Sequence, residues 1–163
     1  TSDLRYTSFT YPFVMNGTVR TLLGKYNRCN KLNQTTAYIN TMRYAGAYYI
    51  VAEAYCRKGE TEAARVLINH YWHCIGVSEA PAGITNQALL ELILTDKQRE
   101  FVGEGVNFFD LKRTHLASLP RYSQWGTGAS SSISSTDYRW NFPIPVSEYR
   151  FNSVEQNAGW PSN

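Results

Sequence analysis

The stretch Asp96-Lys97-Gln98-Arg99-Glu100-Phe101-Val102-Gly103-Glu104-Gly105-Val106-Asn107-Phe108-Phe109-Asp110-Leu111-Lys112-Arg113 constrains this chain more than any other. Charge gathers at its two ends, with Phe101, Val102, Phe108, Phe109 and Leu111 between them. A helix from Asn86 to about Gly103 stacks Asp96, Glu100 and Glu104 four residues apart on one stripe. Like charges at that spacing repel by about 0.2–0.5 kcal/mol per pair in water. The stripe therefore requires cations close by, and Arg99, Lys112 and Arg113 are the local supply. Gly103-Glu104-Gly105 breaks the helix, so Val106 to Ala117 is expected to fold back as a second helix. Asp110 and Arg113, one turn apart, then face the first helix. Arg99, Glu100, Glu104, Asp110 and Arg113 are read together as a structural ion network at a helical elbow.

Upstream, Met42 to Lys58 turns helical. Tyr44, Tyr48, Val51, Ala52 and Tyr55 fall on one face, and Glu53 and Arg57 form a pair four apart on the other. Gly59 is expected to cap this helix, with Glu60 and Glu62 in the first turn of the next, where the dipole favours acids. That second helix carries Ala64, Leu67, Ile68, Tyr71 and Ile75 inward and stops at Gly76. The pair resembles a tetratricopeptide unit through Tyr48, Val51, Ala52, Tyr55, Gly59, Ala64, Ile68 and Tyr71. One copy cannot cover its own apolar face, so other helices must stack on it. Thr85 is a candidate N-cap for the helix that becomes the elbow.

The flanks lack this period. Residues 1–41 read as irregular or extended, with alternation from Tyr6 to Phe13 suggesting at most a short strand. Beyond Leu119-Pro120, the glycines at 126 and 128 and the Ser-rich run to Ser135 read as a mobile surface loop. A Pro-stiffened aromatic tail follows, Tyr138 to Pro145 and Gln156 to Trp160. We therefore expect one domain over residues 1–163: an irregular lead-in (1–41), a helical core (42–117), and a loop with a Pro/aromatic tail (118–163). A chain of 163 residues can bury roughly 70% of its unfolded surface, enough for a true core.

Composition excludes several functions. A net charge of +3 without a Lys/Arg block argues against nucleic acid as the main partner. No run of about 18 apolar residues is present to span a membrane. The opening Thr1-Ser2-Asp3 has no basic-then-apolar signal segment and reads as a processed or excised piece. Cys29, Cys56 and Cys74, an odd number without CxxC spacing, allow one disulfide or free buried thiols.

Asp96, Glu100, Glu104 and Asp110 include enough acids for a glycosidase pair, but each has Arg or Lys within reach. Such neighbours lower carboxyl pKa values, the opposite of what a general acid needs. His70, His73 and Cys74 form at most half a zinc site, with no second pair to complete it and His115 alone. No phosphate-binding Gly loop or Gly-x-Ser-x-Gly is present, so neither a cofactor nor nucleophile chemistry is expected. Loop aromatics remain. Sugars lay C–H faces on Trp or Tyr rings and give hydroxyls to nearby polar groups. Trp125 with Tyr122, Arg121 and Gln124, and Tyr6 and Tyr11 in the lead-in, supply those residue types. Trp140 and Trp160 are read as packing.

Taken in order, Met42-Arg43-Tyr44-Ala45, Ala52-Glu53-Ala54-Tyr55, Gly59, Arg99-Glu100…Glu104-Gly105…Phe109-Asp110-Leu111-Lys112-Arg113, Phe142-Pro143-Ile144-Pro145, Ser147-Glu148 and Gln156-Asn157-Ala158-Gly159-Trp160 resemble the C-terminal half of SusD/RagB-type nutrient-binding proteins of Bacteroidetes outer membranes. The resemblance covers about residues 42–160, and extends more weakly to Asp3-Leu4-Arg5 and Lys25-Tyr26. It departs at Asp96-Lys97-Gln98, where the family has Glu followed by Arg residues, and at Asn107, where a basic residue is common. A full member is about three times this length, so the resemblance implies a fragment or a minimal relative. It further implies an all-α fold: a tetratricopeptide-like helix pair and a helical elbow, with long irregular loops. The implied function is non-enzymatic capture of oligosaccharide or other nutrients at the cell surface, for a TonB-dependent, SusC-like transporter. The implied location is the outer membrane, reached through a lipid anchor absent from this chain. The alternative is a protein-interaction scaffold that binds no sugar.

Overall fold

The structure is a computed structural model that describes residues 2–25, 42–114, 119–122, 130–149 and 151–161. It divides into two compact units, Thr1–Val106 and Asn107–Asn163.

The first unit opens with α1 (Leu4–Phe9), capped by the Asp3 carboxylate, which accepts from the Arg5 backbone N–H at 2.9 Å. An antiparallel hairpin follows, β1 (Thr10–Met15) paired with β2 (Thr18–Leu23). Its turn is Asn16-Gly17, both at positive φ (50° and 74°), which matches the right-handed twist of the flanking strands. Over its described residues the lead-in expected to be irregular or extended is a helix and a hairpin, and residues 26–41 of it lie outside the described residues. Asn-Gly between two apolar-rich runs was the overlooked sequence signal.

Helices α2 (Tyr44–Arg57), α3 (Thr61–Cys74) and α4 (Asn86–Glu100) make the core. Tyr48, early in α2, stacks on Tyr71, late in α3, with ring centroids 5.1 Å apart, so the two helices run antiparallel. Ala52 and Ala64 are fully buried and let the backbones approach. The buried face of α2 is Ala45, Tyr49, Ala52, Glu53 and Cys56, one residue round from the expected stripe, and Tyr44 is 80% exposed. Adjacent tyrosines at 48 and 49 made the stripe ambiguous. A buried acceptor on α4, Asp96, decides for Tyr49, whose hydroxyl donates to it at 2.5 Å. On α3 the expected face holds: Ala64 and Ile68 are buried, Leu67, Tyr71 and Ile75 are partly so, and Trp72 joins them. Fully burying Tyr49, Ile68, Leu89 and Ile93 contributes about 1.5–3 kcal/mol for each aliphatic side chain.

Connections are held by side chains. The Asn69 amide brackets Ala80, accepting from its N–H at 2.8 Å and donating to its carbonyl at 3.0 Å, which pins the loop before α4. Thr85 caps α4 by accepting from the Ala88 N–H. The breaks expected at Gly59, Gly76, Gly103 and Gly105 all have positive φ. Cys56 is a buried free thiol and Cys74 an exposed one; Cys29 lies outside the described residues. No helix among the described residues is long and apolar enough to cross a membrane.

In the second unit, α5 (Val106–Thr114) buries Asp110 and Leu111. β3 (Leu119–Tyr122) pairs antiparallel with β4 (Ser130–Ile133), so part of the Ser-rich run expected as loop is strand. Leu111, Ile133 and Trp140 form a small core against Phe108. The tail is fastened by its own side chains. Gln156 accepts from the Ile144 N–H at 2.8 Å and donates to its carbonyl at 3.3 Å. Asn157 donates to the Phe142 carbonyl, and the Trp160 indole N–H to the Asn141 carbonyl, each at 2.7 Å. The prolines at 143 and 145 leave this segment short of donors for a strand ladder, and tail side chains satisfy its carbonyls instead. A short helix, α6 (Val146–Tyr149), lies within this segment.

Candidate functional site

The acidic stripe that runs along α4 and on to Glu104 is heavily partnered among the described residues. Asp96, 3% exposed, accepts from Arg5 (Nη2 at 2.6 Å, Nη1 at 3.2 Å), from the Tyr49 hydroxyl and from the Trp72 indole N–H at 2.6 Å. Glu100, 2% exposed, accepts from Arg43 Nη1 at 2.6 Å and from Arg5 Nη1 at 3.4 Å. Glu104 accepts from Arg43 (Nε 3.1 Å, Nη2 2.9 Å) and pairs with Lys25. Arg43 and Lys25 also both donate to the Glu100 carbonyl, satisfying the C-terminal end of α4. Phe101 lies under the Arg43 guanidinium, 4.5 Å from it, and Phe9 lies 4.1 Å from Lys25 Nζ.

Among the described residues, Arg5, Lys25 and Arg43, none of them a near neighbour in sequence, carry most of the neutralisation, and the expected neighbour Arg99 adds a longer pair with Asp96. Arg99 is 66% exposed and reaches Asp96 only at 3.9 Å. Asp110 and Arg113 bond to one another inside α5, at 2.6 and 2.8 Å. Side-chain direction explains the difference. The buried face of α4 points its carboxylates inward, where solvent-facing Arg99 reaches Asp96 only at 3.9 Å, and cations from other segments supply the shorter contacts.

The titration of the network follows its geometry. Burial works against the Glu104 carboxylate, but hydrogen bonds from Lys25 and Arg43 win and hold its pKa below the ordinary 4.5. The Arg5 side chain holds Asp3 below 3.8 in the same way. Burial pushes the Lys25 ammonium down, against the pull of Glu104. Burial and then the charge of Asp96 push the Tyr49 phenol up, keeping it a donor. For the two depressed carboxyls the folded pKa lies below the unfolded one. Their contribution is present above about pH 4.5 and is lost as pH falls through the folded values. Melting temperature is accordingly expected to drop steadily between pH 5 and about pH 3, and a flat profile there would contradict this network.

Each unit has a cleft among its described residues, and Asp3, Asp96 and Arg99 of the network line that of the first. One, of about 560 Å³ in the first unit, is lined by Trp72, Leu92, Thr95, Arg99 and the loop after Gly76. The other, of about 670 Å³ in the second unit, is lined by Phe109, Lys112, Tyr138, Trp140 and Asn141 among others. Of the ligand residues expected from the sequence, Tyr6 and Tyr11 stand 57% and 37% exposed on α1 and β1. Arg121 and Tyr122 belong to β3, where only the backbone is described; Gln124 and Trp125 lie outside the described residues. Phe109, Lys112, Tyr138 and Asn141 were missed as a group. Phe109 and Lys112 lie three apart on one helical side, a usable signal; of the residues from 138 on, Trp140 and Trp160 are read from the sequence as packing, and Tyr138 and Asn141 are assigned no contact. His73 is 80% exposed and 3.4 Å from Glu79. No cluster of three or more potential metal ligands occurs among the described residues.

A predominantly helical chain whose Asp96, Glu100 and Glu104 are held by cations and hydrogen-bond donors defines a helical scaffold braced by its acids. The chain belongs to the SusD family, whose model matches residues 3–160. It is similar to a SusD superfamily protein of Bacteroides vulgatus ATCC 8482, with 24% identity and a TM-score of 0.74 over 99% of this chain and 36% of that one. A SusD-like protein of Bacteroides fragilis NCTC 9343 matches at 25% identity and a TM-score of 0.58, over 73% of this chain and 25% of that one. A SusD-like carbohydrate binding protein of Bacteroides vulgatus ATCC 8482 matches at 17% identity and a TM-score of 0.66, over 92% and 38%. The chain thus spans between a quarter and two fifths of the length of these proteins. No curated protein matches it.

Proposed function

We propose that the chain binds oligosaccharide at the cell surface, without catalysis, for delivery to a TonB-dependent, SusC-like transporter of the outer membrane. A lipid anchor on the full protein holds it there. Membership of the SusD family supports this reading, as does likeness to a structure described as a SusD-like carbohydrate binding protein. The observation that carries it is the saturation of Asp96 and Glu100 by arginines, hydroxyl and indole donors, which leaves exposed aromatic rings as the available chemistry. In this proposal Trp125, Tyr122, Arg121 and Gln124, with Tyr11 and Tyr6, contact the ligand. The tetratricopeptide-like character of α2 and α3 belongs to the same reading, as the scaffold on which the loops are mounted.

Titration calorimetry against a panel of neutral oligosaccharides tests it. At least one is expected to bind, and Trp125→Ala or Tyr11→Ala is expected to weaken binding by about tenfold, the scale of one ring–sugar contact. A second reading, a protein-interaction scaffold, is favoured by one observation: Tyr44, Ile50, Val51 and Val66 are exposed on the helical pair. Silence across the panel from a folded chain would return the function to that reading.

A further inference from the structure

We propose that the cleft of the second unit is a binding site for a saccharide ring carrying an acidic group, carboxylate or sulfate. It is a site separate from the loop aromatics and does not depend on them.

Three features of the cleft support this. Its aromatic walls are set in advance of any ligand. Tyr138 is 44% exposed, yet its ring is held edge-on by Trp160 at 5.2 Å, and Gly159 (φ 88°) lies so close that a Cβ there would overlap the ring. Phe109, 65% exposed, meets Phe108 edge-on at 5.6 Å, and Phe108 stacks in turn on Phe142 at 5.0 Å. Rings fixed this way lose little entropy when a sugar's C–H face settles on them.

The charges of the lining do not cancel. Arg113 is bonded to Asp110, and Asp137 to Arg139 at 2.8 Å. Lys112, half-buried on the cleft wall, has no ion-pair partner among the described residues. An ammonium partly withdrawn from water between aromatic walls gains most from an anion delivered by the occupant. Neutral hydrogen-bonding groups stand beside it. The Asn141 side-chain amide and the Tyr138 hydroxyl make no hydrogen bond among the described residues, although the Asn141 backbone is fully engaged. A flat apolar wall, one uncompensated cation and an amide match a pyranose ring with hydroxyls and one negative substituent.

The test compares three short probes on the 163-residue chain by calorimetry: an oligogalacturonide, its methyl ester, and a sulfated galactan oligomer. The free acid or the sulfated probe is expected to bind about tenfold more tightly than the ester, and to weaken as salt rises. Which of the two binds tells carboxylate from sulfate. Lys112→Gln is expected to erase the preference while leaving the melting temperature unchanged, and Tyr138→Ala to weaken all three probes. Equal affinity for ester and acid, a preference that survives Lys112→Gln, or no binding of any probe would each overturn this site. Binding of neutral oligosaccharides through the loops is read separately from the neutral panel, so either proposal can fail alone.

Discussion

Asp96→Ala is expected to destabilise the chain by about 3–5 kcal/mol, the cost of breaking a buried ion pair and leaving buried donors unmet. The substitution strands the Tyr49 hydroxyl and the Trp72 indole N–H, and takes from the Arg5 guanidinium one of three carboxylates, leaving it Asp3 and Glu100. Arg5 is 6% exposed, and water cannot easily replace the lost carboxylate. The indole and the phenol each add the penalty of an unmet buried donor, about 1–3 kcal/mol, with the total limited by relaxation around the hole. For a chain of this size the melting temperature should fall by roughly 6–20 °C. Adding Trp72→Phe to Asp96→Ala should recover part of the loss, since one stranded buried donor is then gone. A loss below about 1 kcal/mol in the single variant, measured by urea unfolding, would mean that Asp96 is not the keystone of the first unit.

How much of this was legible in the sequence follows from the range of each interaction. The glycine breaks, the Thr85 cap and the inner face of α3 depend on residues a turn or two apart, and the chain states them locally. The partners of the acidic stripe depend on contacts 91 residues away for Arg5 to Asp96 and 57 for Arg43 to Glu100, and no periodicity encodes those. The sequence therefore showed that Asp96, Glu100 and Glu104 needed cations and pointed to Arg99, which pairs with Asp96 at 3.9 Å, but could not name Arg5, Lys25 and Arg43. The same limit explains the one-residue rotation of α2. Val51 and Tyr44 satisfied the hydrophobic period as well as Ala45 and Cys56 did, and only the polar demand of Asp96 distinguished Tyr49 from Tyr48. The hairpin was a different kind of miss, because Asn16-Gly17 was visible and only its meaning was overlooked. For ligand contacts the sequence offered residue types without geometry. It picked out Tyr11 and Tyr6, which are exposed, yet passed over Phe109, Lys112 and Tyr138, which the fold gathers from two segments.

Glu100→Gln separates bracing from catalysis most cleanly. A glycosidase needs a carboxyl that meets substrate and keeps its proton near neutral pH, so an isosteric amide there abolishes turnover and leaves the fold intact. Glu100 is placed for the opposite behaviour. It is 2% exposed, its two oxygens face Arg43 and Arg5, and its charge helps hold the Tyr71 phenol protonated after burial has already pushed that pKa up. Glutamine keeps the shape but removes the charge, and it turns one end of the side chain into a donor facing guanidinium donors. The expected result is a loss of about 2–4 kcal/mol, with no hydrolysis of aryl glycosides by either parent or variant. Arg43 is the arm through which the loss spreads. It also holds Glu104 and the last carbonyl of α4, so the end of that helix should fray and its amides should lose hydrogen-exchange protection before the rest of the core. Were the variant to melt with the parent while an aryl glycosidase activity of the parent disappeared, the stripe would be an active site and the bracing role assigned to it would be wrong.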